Sequence, residues 1–186
     1  MSMEKYNKIH FIGIGGISMS SLAEILKSKG KTITGSDGVA SNVTKALENI
    51  GIQVSIGQKA ENITPDTDLI VYTAAVKEDN PELMAARASG IETVDRAALV
   101  GMMMLEYKFP LSVAGTHGKT TTSSLVTEIF LEANTNPTVS IGGILPSIKG
   151  NYKVGGEDYF ILETCEYCDS FLKFNPHGAI ILNIDA

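Results

Sequence analysis

Phe109-Pro110-Leu111-Ser112-Val113-Ala114 leads directly into Gly115-Thr116-His117-Gly118-Lys119-Thr120-Thr121, and a helical pattern follows. Strand, glycine loop and helix in that order make a cradle for a nucleotide phosphate. Glycines let backbone N–H groups turn onto an anion, Lys119 adds a mobile positive charge, and the Thr120 hydroxyl suits a magnesium ion bridging phosphates. The usual phosphate loop, Gly-x-x-x-x-Gly-Lys, would place its first glycine at Val113, whereas this loop is the shorter Gly-x-x-Gly-Lys-Thr. Helix is expected over 119–133.

Downstream, Tyr159 to Leu162 reads as a short apolar strand that delivers Glu163 at its carboxyl end. Ligands of open α/β sheets sit beyond the carboxyl ends of the strands, so Glu163 is expected near the loop, where a carboxylate can help hold magnesium. An acidic cap on an exposed strand end is the other reading. Asn136-Pro137-Thr138 and Ser140-Ile141-Gly142-Gly143 form a second polar, glycine-rich segment, which also fits a strand followed by a turn. Cys165 and Cys168 make a Cys-x-x-Cys pair; two sulfurs cannot close a structural zinc site, and plain buried or loop thiols are the preferred reading. Glu166 and Asp169 read first as solvated or loop-ordering residues.

The first half alternates strand and helix. Strands are expected at 8–12, from 32, at 53–56, 68–73 and 92–94, with helices at 18–28, 43–50, 82–88 and 96–105. Gly30, Gly51 and Gly90 stand where helix-ending glycines belong. This succession is a Rossmann-like parallel sheet. The fold expectation is therefore a Rossmann-like domain over 1–105, followed over 106–186 by the first part of a phosphate-loop ATPase α/β domain. Met102, Met103 and Met104 read as packing or hinge residues, because thioethers fill irregular cores.

Gly13-Ile14-Gly15-Gly16-Ile17-Ser18 is close to the dinucleotide fingerprint, with Ser18 in place of the third glycine and Asp37 about twenty residues on, where an acid can take ribose hydroxyls. The motif implies a bound diphosphate without deciding between NAD and another nucleotide. Thr73-Ala74-Ala75, at the end of another strand of the same sheet, reads either as a nucleoside site or as core packing.

Hydrophobic residues make up 44% of the 186-residue chain, enough to bury a real core, and its formal charge of −6, with no cluster of Lys and Arg, argues against a general nucleic-acid binder. Anionic ligands must then be held locally, by loops and helix ends. No apolar run approaches the ~20 residues that span a bilayer, so a cytoplasmic protein without membrane insertion is expected.

The short loop from Ala114 to Thr122 resembles that of the Mur ligases, the ATP-dependent enzymes of peptidoglycan precursor synthesis. His10 to Gly16, Gly35-Ser36-Asp37, Lys77 to Pro81, Asp95-Arg96-Ala97, Glu163 to Tyr167, Ser170-Phe171-Leu172 and Asn183-Ile184-Asp185 are also similar, in the same order, to the members that add L-alanine to UDP-N-acetylmuramate. The resemblance implies ATP and Mg2+ as cofactors and these two small molecules as substrates. It implies an ATP site at Gly115, Thr116, His117, Gly118, Lys119, Thr120 and Thr121, with Lys119 and Glu163 catalytic and Thr120 and Glu163 on the metal. It turns the first glycine motif into a UDP-sugar site of Gly13, Gly15, Gly16, Ile17, Ser18, Asp37, Thr73 and Ala74.

In such enzymes the γ-phosphoryl group of ATP activates a carboxylate that an amine then attacks. Members that attach a whole muropeptide share both loops, and a NAD-binding or regulatory nucleotide module is a further alternative. Beyond Ala186 the family pattern continues into an Asp-His pair and a C-terminal domain, so the chain alone is expected to be inactive. Its sheet edge near 179–183 is expected to invite self-association, leaving homo-oligomers open.

Overall fold

The computed structural model describes residues 3–164 and 173–184. Cys165, Glu166, Cys168, Asp169 and Asp185, all named above, lie outside the described residues. The chain divides into two compact units, Glu4–Leu99 and Val100–Ala186 with Met1–Met3.

In the first unit, β1 (Lys8–Ile12), β2 (Thr32–Asp37), β3 (Gln53–Ile56), β4 (Leu69–Tyr72) and β5 (Glu92–Asp95) form one sheet in the order β3-β2-β1-β4-β5. Every pairing is parallel. Such a sheet is covered on both faces, which explains why β1 and β4 are almost continuously apolar and buried. Ile12 and Ile70 pack against Leu83 and Ala86 of α3 (Pro81–Ala88).

Local chemistry sets the helix ends. In α1 (Ile17–Ser28), Met19, Leu22, Ile25 and Leu26 recur at helical spacing and are buried, and Gly30 follows its end at φ +85°. Ser41 caps α2 (Asn42–Asn49) in a reciprocal box: its hydroxyl accepts from Thr44 N at 3.2 Å, and the Thr44 hydroxyl accepts from Ser41 N at 2.9 Å. Asn80 caps α3, its side-chain oxygen accepting from the backbone N–H groups of Glu82 and Leu83, with Pro81 at the first helical position.

The division between units falls inside α4 (Arg96–Met104), whose Met102, Met103 and Met104 are buried packing residues, as their sequence suggests. The second unit holds β6 (Phe109–Ala114), α5 (Lys119–Glu132), β7 (Thr138–Leu145), β8 (Gly150–Lys153), β9 (Tyr159–Glu163) and β10 (Gly178–Ile181). Their sheet order is β10-β6-β9-β7-β8. Only the β7–β8 pair is antiparallel. β7 continues through the glycine pair to Leu145 with an irregular register after Ser140, so the strand reading of that segment holds and the turn falls later. Val139, Ile141 and Leu145 form a small core with Ile148 against them. β10 ends the sheet order, with Ile181 exposed. No helix among the described residues is long and apolar enough to cross a membrane.

Candidate functional site

Both glycine motifs lie at the carboxyl end of a parallel strand and open a helix. After β1, Gly13 (φ +84°) and Ile14 donate their N–H groups to Ser36 O at 2.8 and 2.9 Å, and Gly16 N donates to Gly13 O at 3.3 Å. Gly15 N donates to Asp37 Oδ2 at 2.9 Å, while Asp37 Oδ1 accepts from Val39 N at 3.2 Å. The motif's own glycine amides are thus satisfied within the protein. A diphosphate bound here would be left with the N–H groups that open α1, at Ile17 and Ser18, and Asp37 braces the turn.

Gly13, Gly15, Gly16, Asp37 and Thr73 line one cleft of about 710 Å³, joined by Ser41, Gln58, Lys77 and Asn80. Ala74 lies between two wall residues, Thr73 and Ala75. Ile17 is exposed at the start of α1, and the Ser18 hydroxyl accepts from Arg96 Nη1 at 3.1 Å.

A buried polar chain that sequence reasoning missed adjoins residues of this cleft along the sequence. His10 of β1 joins Thr34 through Nδ1 and Glu82 through Nε2, each at 2.8 Å, and Glu82 Oε2 accepts from the Ser36 hydroxyl at 2.6 Å. His10, Ser36 and Glu82 are all buried. Ser36 is the residue whose carbonyl holds Gly13 and Ile14, and Glu82 follows the wall residues Asn80 and Pro81. The chain therefore ties two walls of the cleft to the sheet. The only sequence signal for it was a glutamate after Asn-Pro at a helix start, which ordinarily reads as a solvated first-turn acid.

In the second unit, Gly118 (φ +82°) precedes α5 and offers no side-chain cap, and a helix N-terminus of this kind suits an anion. Lys119 Nζ donates to Gly115 O and Thr116 O, which curls the lysine over its own loop. β9 pairs with β6 so that Glu163 stands opposite Val113, at the mouth of the loop. Glu163 Oε1 accepts from the Thr120 hydroxyl at 3.1 Å, and Oε2 accepts from Gly142 N at 2.8 Å and from the Ser123 hydroxyl at 3.5 Å.

The glycines at 142 and 143 have a steric cause. A Cβ at Gly142 would come within 2.7 Å of the Glu163 carboxylate, and one at Gly143 within 2.8 Å of Thr120 Cγ2. Thr116 N and His117 N both donate to Asn183 Oδ1, at 2.7 and 3.1 Å. His117 is thus held through its backbone, as a loop-shaping residue.

The Thr120 hydroxyl and the Glu163 carboxylate are hard oxygen donors in contact with each other beside the loop, which fits Mg2+. Among the described residues no three His, Cys, Asp or Glu side chains gather as a metal cage.

Two open α/β units, each with a glycine turn at a strand's carboxyl end, define a protein of the nucleotide-binding α/β class. Family comparison narrows this: residues 8–108 match the Mur ligase family, catalytic domain, and residues 113–186 match the Mur ligase middle domain. The chain belongs to the Mur ligase family. It is 59% identical over 178 residues to the UDP-N-acetylmuramate–L-alanine ligase of Agathobacter rectalis, covering 96% of this chain and 39% of that protein. Among solved structures, the UDP-N-acetylmuramate–alanine ligase of Thermotoga maritima superposes with a TM-score of 0.84 at 36% identity, over 94% of this chain and 40% of that one. A murein peptide ligase from Psychrobacter arcticus gives 0.86 at 26% identity, over 96% and 43%. The chain therefore spans about two fifths of the length of these relatives.

Proposed function

We propose that this chain supplies the UDP-sugar and ATP sites of a ligase that joins L-alanine to the carboxylate of UDP-N-acetylmuramate, in peptidoglycan precursor synthesis. The observation that carries the reading is the convergence of Lys119, Thr120 and Glu163 on one loop at the carboxyl ends of β6 and β9. A dehydrogenase has no use for that constellation. L-alanine is preferred to a whole peptide because the alanine ligases are the more similar relatives, at 59% and 36% identity against 26%.

The γ-phosphoryl group of ATP passes to a carboxylate oxygen of the muramoyl substrate, and ADP leaves. The amine then attacks the acyl carbon of the resulting acyl phosphate, and inorganic phosphate departs as the amide forms. Phosphoryl transfer of this kind depends on alignment and charge neutralisation more than on a protein nucleophile. Lys119 swings from its own loop carbonyls to the transferring phosphate, the first-turn amides of α5 hold the neighbouring phosphates, and Gly142 and Ser123 fix the rotamer of Glu163. Thr120 and Glu163 would hold Mg2+, which neutralises phosphate charge when bound. ATP and a UDP-sugar as substrates place the reaction in the cytoplasm.

Titration calorimetry with UDP-N-acetylmuramate, and separately with NAD, tests the first site. Binding of the UDP-sugar is expected, and heat from NAD alone would overturn the assignment.

A further inference from the structure

The side chain of Asn183 lies against the tip of the phosphate loop and makes three hydrogen bonds there. Its Oδ1 accepts from Thr116 N and His117 N, and its Nδ2 donates to His117 O at 3.1 Å. Leu182 N donates to Ala114 O at 3.0 Å, so the segment after β10 runs alongside the loop on the neighbouring strand. The fit is close on both sides. A Cβ at Gly115 would approach Leu182 Cβ to 3.1 Å and Asn183 Oδ1 to 3.2 Å, and one at Gly118 would approach Leu182 Cδ1 to 3.3 Å.

We infer that Asn183 is the positioning residue of the phosphate loop, acting through Thr116 and His117 rather than on the nucleotide. The inference rests on the ATP-site reading above. A loop of this length has more inward N–H groups than one phosphate can use, and unmatched amides favour collapse onto any nearby acceptor. Asn183 removes two of them from the contest and fixes the loop's outer turn by its third bond. The ligand is left with the amides at the start of α5, including those of Thr120 and Thr121, which as helix-opening groups lack intrahelical acceptors.

Side-chain chemistry favours asparagine in this place. Only an amide accepts from two N–H groups and donates to a carbonyl from one planar head, without charge. An aspartate would keep both accepted bonds, but would lose the donated one and set a negative charge beside the phosphates.

Hydrogen exchange and ATP titration on the 186-residue chain, with magnesium, test this. In the parent chain the Thr116 and His117 amides should be protected, and ATP should add protection at the start of α5 while leaving those two unchanged. Asn183→Ala should release both amides and weaken ATP binding by about ten-fold, the equivalent of one or two lost hydrogen bonds. Asn183→Asp should keep the protection and bind ATP more weakly still, which a purely structural tie would not do. Asn183→Ala and Asn183→Asp both binding ATP within two-fold of the parent, while Lys119→Ala loses it, would overturn the role of Asn183 alone. Absence of ATP binding in the parent and every variant alike would overturn the nucleotide reading and this inference with it.

Discussion

The glycine turn after β1 and the phosphate loop after β6 carry the chain through the same manoeuvre, yet a carboxylate braces the first and a neutral amide the second. Asp37 takes the N–H groups of Gly15 and Val39; Asn183 takes those of Thr116 and His117. Both braces spend backbone donors that a sequence motif would assign to the ligand. Charge makes them different. A carboxylate is tolerable beside a nucleoside diphosphate held further along at the start of α1, and it can accept from sugar hydroxyls. In the proposed ATP site a carboxylate at the tip of the loop, away from the magnesium that Glu163 would meet, would repel a triphosphate. The likeness of the two motifs in sequence thus conceals a difference in the charge of their braces, a carboxylate at Asp37 and a neutral amide at Asn183.

The sharpest way to break this contrast is to remove the cation from the second loop alone. In an enzyme carrying the whole family architecture, Lys119→Ala should lower turnover by several orders of magnitude, as loss of a charge aimed at a transferring phosphoryl group does. The thermal shift caused by UDP-N-acetylmuramate should persist, because the other unit's cleft is untouched. Near-normal turnover would sink the role given to Lys119.

In the first unit the buried chain runs from His10 through Glu82 to Ser36, side chain to side chain. Glu82→Ala would leave His10 Nε2 and the Ser36 hydroxyl without their partner, at a cost on the order of 3 kcal/mol for two buried groups. Chemical denaturation should show the loss, and UDP-sugar binding should weaken with it. Glu82→Gln, which keeps the shape and one acceptor, should restore much of both. An alanine variant as stable as the parent would mean that the chain of bonds holds nothing in place.

A smaller effect is expected at the turn itself. The Cβ introduced by Gly15→Val would meet Asp37 Oδ2 at 2.8 Å and Thr44 Cγ2 at 3.1 Å, so the brace must move. Overpacking of this sort costs about 1–3 kcal/mol. Calorimetry should find weaker UDP-sugar binding and unchanged ATP binding. Equal losses for both ligands would blur the distinction between the sites.

The smallest effect concerns acid. Asp68 Oδ2 accepts from Lys8 N and Asn7 N, both at 2.8 Å, where β1 begins. Those two backbone bonds hold its carboxyl below the usual carboxylate range, against desolvation and the like negative charge of Asp66. A depressed pKa contributes stability above the unfolded value, near 4, and loses it as pH falls through the folded one. Asp68→Asn should therefore lower the stability of the first unit at neutral pH, where the carboxylate's contribution is full, and flatten its decline below about pH 4, both measured by urea midpoints across pH. An unaltered acid limb would remove Asp68 from the account.

The bounds of β1, β3 and β6 could be read directly from the chain, because apolar runs there are closed by glycine or by a change of polarity. Glu163 was also legible: a strand that ends in an acid puts that acid at the ligand edge of an open sheet. β8 was not, since Gly150–Lys153 has no apolar pattern of its own and becomes a strand by pairing with β7. Nor was Glu82, whose partner His10 stands 72 residues away.

Sequence by itself determined the succession of strands and helices, the two glycine turns and the residue types able to meet phosphate and magnesium. These follow from local spacing and from side-chain chemistry, both of which survive without a fold. Tertiary structure alone decided which donors those turns keep and which they give up: Ser36 and Asp37 claim the first motif, and Asn183, 66 residues beyond His117, claims part of the second. The physical reason is that an N–H group's partner is set by whatever acceptor parallel pairing brings alongside it, and neighbouring parallel strands come from distant parts of the chain.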